Sequence, residues 1–113
     1  TLFPYTTLFR SHQNSFTDRS VKGAQVFYGS SDESEALAKE IQDCIREYVD
    51  ADNSRKAKSG NDYYILRKSA CPSVIIECGF LSNPNETAKL VDDNYQQKLA
   101  EGITKAIENI YMK

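Results

Sequence analysis

The sequence predicts an α/β fold, a three-layer sandwich in which helices flank a mixed, mostly parallel central sheet. Short segments rich in β-branched and aromatic residues alternate with longer segments whose apolar residues recur at helical spacing, and this alternation is typical of α/β domains. Segment 73–78 contains three consecutive β-branched apolar residues, Val74, Ile75 and Ile76, as expected of a strand buried on both faces. The chain of 113 residues suits one domain or part of one.

The first strand and helix of this alternation are predicted over residues 23–29 and 30–49. The segment GAQVFYG places β-branched and aromatic residues between glycines, which indicates a short strand. The segment that follows has one apolar stripe at helical spacing. The stripe consists of Leu37, Ile41, Cys44, Ile45 and Tyr48. Ser30 and Glu33 have the spacing of a capping box, so the helix is predicted to begin there.

A loop and two further strands are predicted next. Residues 50–62 are polar and show no core pattern, which favours a loop. The segments YYILR at 63–67 and SVIIEC at 73–78 have the composition of strands.

Two helices are predicted to complete the chain. Asn83 followed by Pro84 indicates a helix with an asparagine cap and proline at its first position. The last helix is predicted over residues 93–112. Its apolar face consists of Tyr95, Leu99, Ile103, Ile107 and Ile110.

The first eleven residues, TLFPYTTLFRS, differ in character from the rest of the chain. Their apolar and threonine residues follow no steady period. The segment is the translation of a nucleotide string that resembles a common sequencing-library adapter. We therefore expect residues 1–11 to be an adapter-derived segment and residues 12–113 to be native, and we exclude residues 1–11 from functional reasoning. The alternative is a native strand in which Leu8 and Phe9 pack.

Composition and charge exclude several classes of function. The net charge is −2, which gives no basic surface for nucleic acid. No apolar run approaches the ~20 residues that a membrane-spanning helix needs. The three cysteines match no zinc ribbon or redox motif, and small buried apolar side chains are the simpler interpretation.

Glu77 is the candidate catalytic residue because it follows the most apolar strand directly. Ligands of α/β sheets bind beyond the carboxyl ends of strands, so the strand is predicted to deliver this carboxylate into a cleft. Desolvation by apolar neighbours should raise the pKa of Glu77, which suits a general base or acid. The alternative is a structural glutamate that pairs with Arg67 or Arg55 or turns to solvent.

Four segments together resemble the zinc-dependent N-acetylmuramoyl-L-alanine amidases. They are HQN at 12–14, GAQVFY at 23–28, YYILR at 63–67 and PSVIIECGFLSNPNE at 72–86. The resemblance covers residues 12–113, which correspond to the C-terminal half of the catalytic domain in that family. Within the family, the spore-cortex or germination-type enzymes are the most similar in appearance.

The resemblance implies roles for individual residues. His12 matches the last zinc ligand of the family and Glu77 its catalytic glutamate. The family's other two ligands, a histidine and a glutamate, are expected upstream of His12, so the chain as given is expected to be inactive. Asn14 is assigned to orienting the ligand histidine or contacting substrate, and Arg67 to contacting a peptide carboxylate or bracing Glu77.

The resemblance also implies the reaction, the substrate and the location. Zinc-activated water, with Glu77 as proton acceptor, would cleave the amide between N-acetylmuramic acid and L-alanine. The implied partner is peptidoglycan, with a regulatory protein of unknown identity. The implied location is extracytoplasmic, at the cell wall or spore cortex of a bacterium.

Two other functions remain open from the sequence. The first is a cysteine hydrolase with Cys71 or Cys78 as nucleophile and His12 as base. Cys78 follows Glu77 on the same strand, so its side chain should point to the opposite face, which disfavours it. The second is a non-catalytic module that binds the cell wall or regulates another protein.

Overall fold

The computed structural model describes residues 22–80 and 82–112, together with the backbone of residues 8–14. Four strands and four helices are assigned in this part of the chain. The strands are β1 (Leu8–Asn14), β2 (Gln25–Tyr28), β3 (Lys58–Ser59) and β4 (Ser73–Phe80). The helices are α1 (Asp32–Tyr48), α2 (Tyr64–Lys68), α3 (Pro84–Leu90) and α4 (Asp93–Tyr111). None of these helices has the length and apolar character needed to cross a membrane.

The strands form one mixed sheet in the order β1-β4-β2-β3. β4 pairs in parallel with β1 and antiparallel with β2, and β2 pairs in parallel with β3. The predicted α/β fold with a mixed, mostly parallel sheet is therefore confirmed. β1 includes Leu8–Ser11, residues that the sequence suggests are adapter-derived. Because the pairing uses backbone groups that every residue carries, their position in β1 does not decide their origin, and the proposed boundary at residue 12 stays a prediction.

The hydrophobic core lies between one face of the sheet and the helices α1 and α4. Alternate residues of β4, namely Val74, Ile76 and Cys78, belong to this core, where they pack with the buried apolar residues of both helices. Side chains alternate between the two faces of a strand, so Ile75 and Glu77 belong to the opposite face. Every residue of β4 is buried, as the run of β-branched residues predicts.

Helix α1 confirms the predicted apolar stripe, but its cap lies one residue later than predicted. Ser31 caps it by accepting a hydrogen bond from the Ser34 backbone N–H, so the capping box predicted at Ser30 and Glu33 is wrong. Leu37, Ile41, Cys44 and Ile45 are buried as expected. Tyr48, the last residue of the helix, is 46% exposed, because the stripe leaves the core where the helix ends.

The strand predicted over residues 63–67 is wrong, since Tyr64–Lys68 form the short helix α2. β4 already pairs on its two edges with β1 and β2, so no place beside it remains for this segment. The strand propensity of the segment is overridden by this tertiary context. Helix α2 buries one side chain, that of Leu66.

The loop predicted over residues 50–62 is interrupted by β3. Lys58 and Ser59 pair with Phe27 and Tyr28 of β2. Both β3 residues are exposed, so the apolar pattern gives no signal for a strand there.

Helices α3 and α4 form where the sequence predicts them. Asn83 caps α3 by accepting hydrogen bonds from the backbone N–H groups of Asn85 and Glu86, and Pro84 opens the helix. In α4, Leu99 and Ile103 enter the core. The rest of the predicted apolar face packs partly buried against it, namely Tyr95, Ile107 and Ile110.

Candidate active site

Glu77 lies in the central strand between one partner residue on each neighbouring strand. The β1 register pairs it with His12, and the β2 register pairs it with Gln25. The side chain of Glu77 has 0% exposure. The sequence predicts a carboxylate in a cleft, whereas the structure encloses this carboxylate completely on the sheet face opposite the α1 and α4 core.

The Tyr63 hydroxyl donates a hydrogen bond to Oε1 of Glu77 at 3.0 Å. Burial, the charge of Glu77 and this hydrogen bond together raise the pKa of Tyr63 to about 12. The phenol therefore keeps its proton at neutral pH and acts as the donor. A donor in this position stabilises the ionised carboxylate, which is the form that a general base requires.

A β-bulge interrupts the pairing of β1 with β4 directly after Glu77. His12 is opposite Glu77, whereas Asn14 is opposite Phe80, so β4 has one residue more than β1 in this interval. Bulges re-aim side chains and are over-represented next to active sites. Gly79 lies within the bulged segment, and a Cβ there would approach the Leu90 side chain of α3 to 3.2 Å.

Arg55 connects the segment before β2 to the end of β4. Its Nε donates to the Lys22 carbonyl at 2.8 Å and its Nη1 to Oε1 of Gln25 at 3.3 Å. The guanidinium carbon lies 4.9 Å from the centroid of the Phe80 ring, a cation–π distance. Since Gln25 is the β2 partner of Glu77, these contacts fix one flank of the carboxylate.

Glu86 of α3 fixes the start of the same segment. It is 3% exposed and accepts a hydrogen bond from the Gly23 backbone N–H at 2.5 Å. Gly23 has φ +90, a conformation that favours glycine. The acid of the NPNE motif is thus structural, a role that the sequence analysis does not assign.

The structure brings His12 and Glu77 together and leaves Arg67 apart. Backbone pairing sets His12 beside Glu77 in the sheet, and Asn14 lies beyond the bulge in β1; the side chains of both lie outside the described residues. Arg67 donates to the Asn61 carbonyl at 2.9 Å and lies over the Tyr64 ring. Its position in α2 replaces the strand end that the sequence predicts, and its assigned role remains a prediction.

The three cysteines have the environments of structural residues. Cys78 is 7% exposed in the core behind the sheet, on the face opposite Glu77 as predicted. Burial raises the pKa of the Cys44 thiol to about 12, with the nearby Glu40 carboxylate adding to the shift. Cys71 is half-buried and its thiol shares a hydrogen bond with the Ser69 hydroxyl. It precedes the amino end of β4 and so lies away from Glu77. The two candidate nucleophiles, Cys78 and Cys71, therefore lie on the other face of the sheet from Glu77 and before the amino end of β4, which disfavours the cysteine-hydrolase alternative.

A buried polar network supports β2, and sequence reasoning misses it. Gln42 accepts from the Val26 backbone N–H at 2.9 Å and donates to the Ala24 carbonyl at 3.0 Å. Asn53 donates to the same carbonyl at 3.0 Å. The Gln42 and Asn53 side chains thus make the hydrogen bonds that a neighbouring strand would make with Ala24 and Val26. β3 pairs only with Phe27 and Tyr28 of this segment. The available signal was a glutamine on the buried face of α1, four residues after Ala38 and three before Ile45.

The described residues fit part of a zinc site. A catalytic zinc needs three protein ligands and an open position. Among the residues whose side chains are described, His, Cys, Asp and Glu form no group of three. The only histidine of the sequence, His12, is the backbone register neighbour of Glu77, and histidine is one of the residue types that ligate a catalytic zinc.

The sequence matches a known protein family over almost its whole length. The profile of the Amidase_3 family, described as N-acetylmuramoyl-L-alanine amidase, matches residues 5–109. The germination-specific N-acetylmuramoyl-L-alanine amidase of Bacillus subtilis (strain 168) is 40% identical over 97 residues, which are 85% of this chain and 40% of that protein.

Solved structures of related proteins share the fold. The CwlD amidase from Clostridioides difficile, in complex with the GerS lipoprotein, is 39% identical with a TM-score of 0.89, over 93% of this chain and 54% of that one. An N-acetylmuramoyl-L-alanine amidase from Clostridium difficile 630 is 33% identical with a TM-score of 0.84, over 92% of this chain and 56% of that one. The chain therefore spans about half the length of these relatives.

Proposed function

Because the chain belongs to the N-acetylmuramoyl-L-alanine amidase family, we propose that the whole protein is a peptidoglycan hydrolase that cleaves the amide between N-acetylmuramic acid and L-alanine. The observation that carries the proposal is the position of Glu77, a fully buried carboxylate whose register partner is His12. The other zinc ligands are proposed to come from outside the described residues.

The proposed chemistry assigns a proton-transfer role to Glu77. Zinc held by His12 and by ligands from outside the described residues would lower the pKa of a water in this site toward ~7. The Glu77 carboxylate accepts a proton from the attacking water while the water oxygen adds to the lactyl carbonyl carbon. Glu77 then returns this proton to the nitrogen of L-alanine as the C–N bond breaks. The products are a free lactyl carboxylate and a peptide with a free amino terminus.

Location and partners are proposed on the same basis. The substrate lies outside the cytoplasm, so we place the protein in the cell wall or spore cortex, and the germination-specific relative supports the cortex. A regulatory protein partner is supported by the complex of the CwlD amidase with a lipoprotein. Asn14 is proposed to orient His12 or to contact substrate, and Arg67 to contact a peptide carboxylate or to brace Glu77.

The test compares Glu77→Gln with His12→Ala in the complete protein that carries this segment. Glutamine keeps the size of the side chain and removes the proton acceptor. We expect Glu77→Gln to retain stoichiometric zinc and to lose roughly 10²–10⁴-fold in kcat. His12→Ala should lose zinc and activity together, because two remaining ligands hold the ion weakly. Zinc is measured by elemental analysis and activity by the release of stem peptides from purified peptidoglycan.

Specific outcomes of the same test contradict the proposal. Full activity of Glu77→Gln, or loss of its zinc, would show that the role given to Glu77 is wrong. A complete protein that binds peptidoglycan without zinc and without cleaving it would be the non-catalytic wall-binding module instead.

A further inference from the structure

We propose that Tyr63 is a positioning residue for Glu77, holding the carboxylate in one orientation through the hydrogen bond from its hydroxyl to Oε1. The inference rests on the amidase function proposed above. The hydroxyl lies 3.0 Å from Oε1, and Glu77 is completely enclosed. A glutamate side chain has several rotatable bonds, so a fixed donor limits the orientations from which it can accept a proton.

Tyr63 is itself held in place from two sides. Its backbone N–H donates to the Gly60 carbonyl at 2.9 Å, and the Gly60 N–H donates to the Tyr28 carbonyl of β2 at 2.9 Å. The Tyr63 ring packs against Phe27 of β2, with ring centroids 5.1 Å apart. β2 is also the strand that pairs with β4 at Glu77. The hydroxyl and the carboxylate are therefore fixed to the same pair of strands.

Gly60 makes the close approach of this turn to β2 possible. A Cβ at Gly60 would overlap Cδ1 of Leu66 and lie 3.2 Å from Cβ of Phe27. The turn thus brings Tyr63 close to the sheet while Leu66 fills the space behind it. This geometry explains why the segment forms a turn and a short helix next to the sheet and delivers one hydroxyl to Glu77.

The neighbouring tyrosine provides a matched control. Tyr64 is 68% exposed and its ring lies under the guanidinium of Arg67, 5.7 Å from centroid to Cζ. Replacing either tyrosine with phenylalanine removes one hydroxyl and preserves the ring. The Tyr63 hydroxyl donates the hydrogen bond to Oε1 of Glu77, so the two substitutions separate positioning from the general effect of losing a phenolic hydroxyl.

The experiment measures kcat, KM, zinc content and melting temperature in the complete, zinc-loaded protein. We expect Tyr63→Phe to lower kcat roughly 10–100-fold, the size of effect that a small misplacement of a reacting group produces. KM and zinc content should change little, because the ring and its contact with Phe27 remain. The melting temperature should fall modestly without loss of the folded state, because the buried carboxylate loses one donor. Tyr64→Phe should match the wild type in all four quantities.

A double substitution tests whether Tyr63 acts through Glu77. In the Glu77→Gln background, adding Tyr63→Phe should change kcat by less than about 3-fold, since the group being positioned is already absent. If the two substitutions lower kcat by independent factors that multiply in the double variant, the inference is overturned. It is also overturned if Tyr63→Phe behaves like Tyr64→Phe, raises KM alone, or loses zinc or the folded state.

The outcomes distinguish this inference from the proposed function. If Glu77→Gln loses activity and Tyr63→Phe does not, the catalytic assignment stands and the positioning role is wrong. If Glu77→Gln retains full activity, the assignment of Glu77 fails, and the positioning role fails with it.

Discussion

Replacing Gln42 with leucine should destabilise the protein although it makes the helix more apolar. Gln42 is 1% exposed and its side chain bonds to both the N–H of Val26 and the carbonyl of Ala24. Leucine has similar volume and no polar atoms. The substitution therefore removes the Gln42 oxygen to which the Val26 N–H donates, and Val26 is 0% exposed.

The loss in the free energy of unfolding depends on which hydrogen bonds the former partners of Gln42 retain. The Ala24 carbonyl keeps its bond from Asn53 at 3.0 Å, and Oδ1 of Asn53 keeps its bond from the Arg55 N–H at 2.9 Å. The dominant cost is thus one orphaned backbone donor, about 1–3 kcal/mol. Burial of the added apolar surface offsets part of the free energy lost with the other hydrogen bonds of Gln42. We therefore expect the free energy of unfolding to fall by about 2 kcal/mol.

Urea unfolding of the chain, followed by circular dichroism, measures this difference. The midpoint should fall while the dependence on urea concentration stays the same. Gln97→Leu is the matched control, since Gln97 is an exposed helical glutamine whose amide donates to Glu101 at 3.0 Å. Its effect on the free energy of unfolding should stay within about 0.5 kcal/mol. Equal stability of the Gln42→Leu and Gln97→Leu proteins would refute the stabilising role of the hydrogen bonds that Gln42 makes with the backbone of Ala24 and Val26.

Three further predictions concern the ends of the buried network, the thiols and the isolated chain. Gly23→Ala should cost about 1–3 kcal/mol in unfolding free energy, because φ +90 strains any other residue; an unchanged melting temperature would contradict this. Iodoacetamide at pH 7.5 should modify Cys71 well before Cys44, whose pKa is raised to about 12 by burial, and peptide mapping that finds Cys44 first would be the contrary result. The 113-residue chain should bind less than equimolar zinc by elemental analysis, since its sequence has one histidine; equimolar zinc would oppose this expectation. Because β1 is the edge strand of the sheet that the described residues form, the chain should also melt below about 60 °C or associate, and a sharp monomeric melt above that temperature would be the contrary result.

Local patterns were sufficient for most of the fold and for the central residue of the site. The β-branched run of β4, the apolar stripe of α1 and the cap at Asn83 each depend on neighbours in sequence, and each is confirmed. The segment 63–67 has equally clear strand composition but forms a turn and a helix. Its conformation depends on whether a sheet edge is available, which no local pattern records.

The sequence by itself determined the family, the α/β class and Glu77 as the candidate base, because the motif around β4 and the periodicity of the helices are local. Only the tertiary structure decided which groups surround that base. His12, Gln25 and Tyr63 are separated from Glu77 by 65, 52 and 14 positions, and sheet register and a single turn bring them to it. The same holds for Gln42, which is polar on an apolar helix face because a strand edge passes beside it. Contacts of this kind arise from the pairing of backbone segments that are distant in sequence. The reason why a given residue type occupies each of these positions can therefore be understood only once that pairing is known.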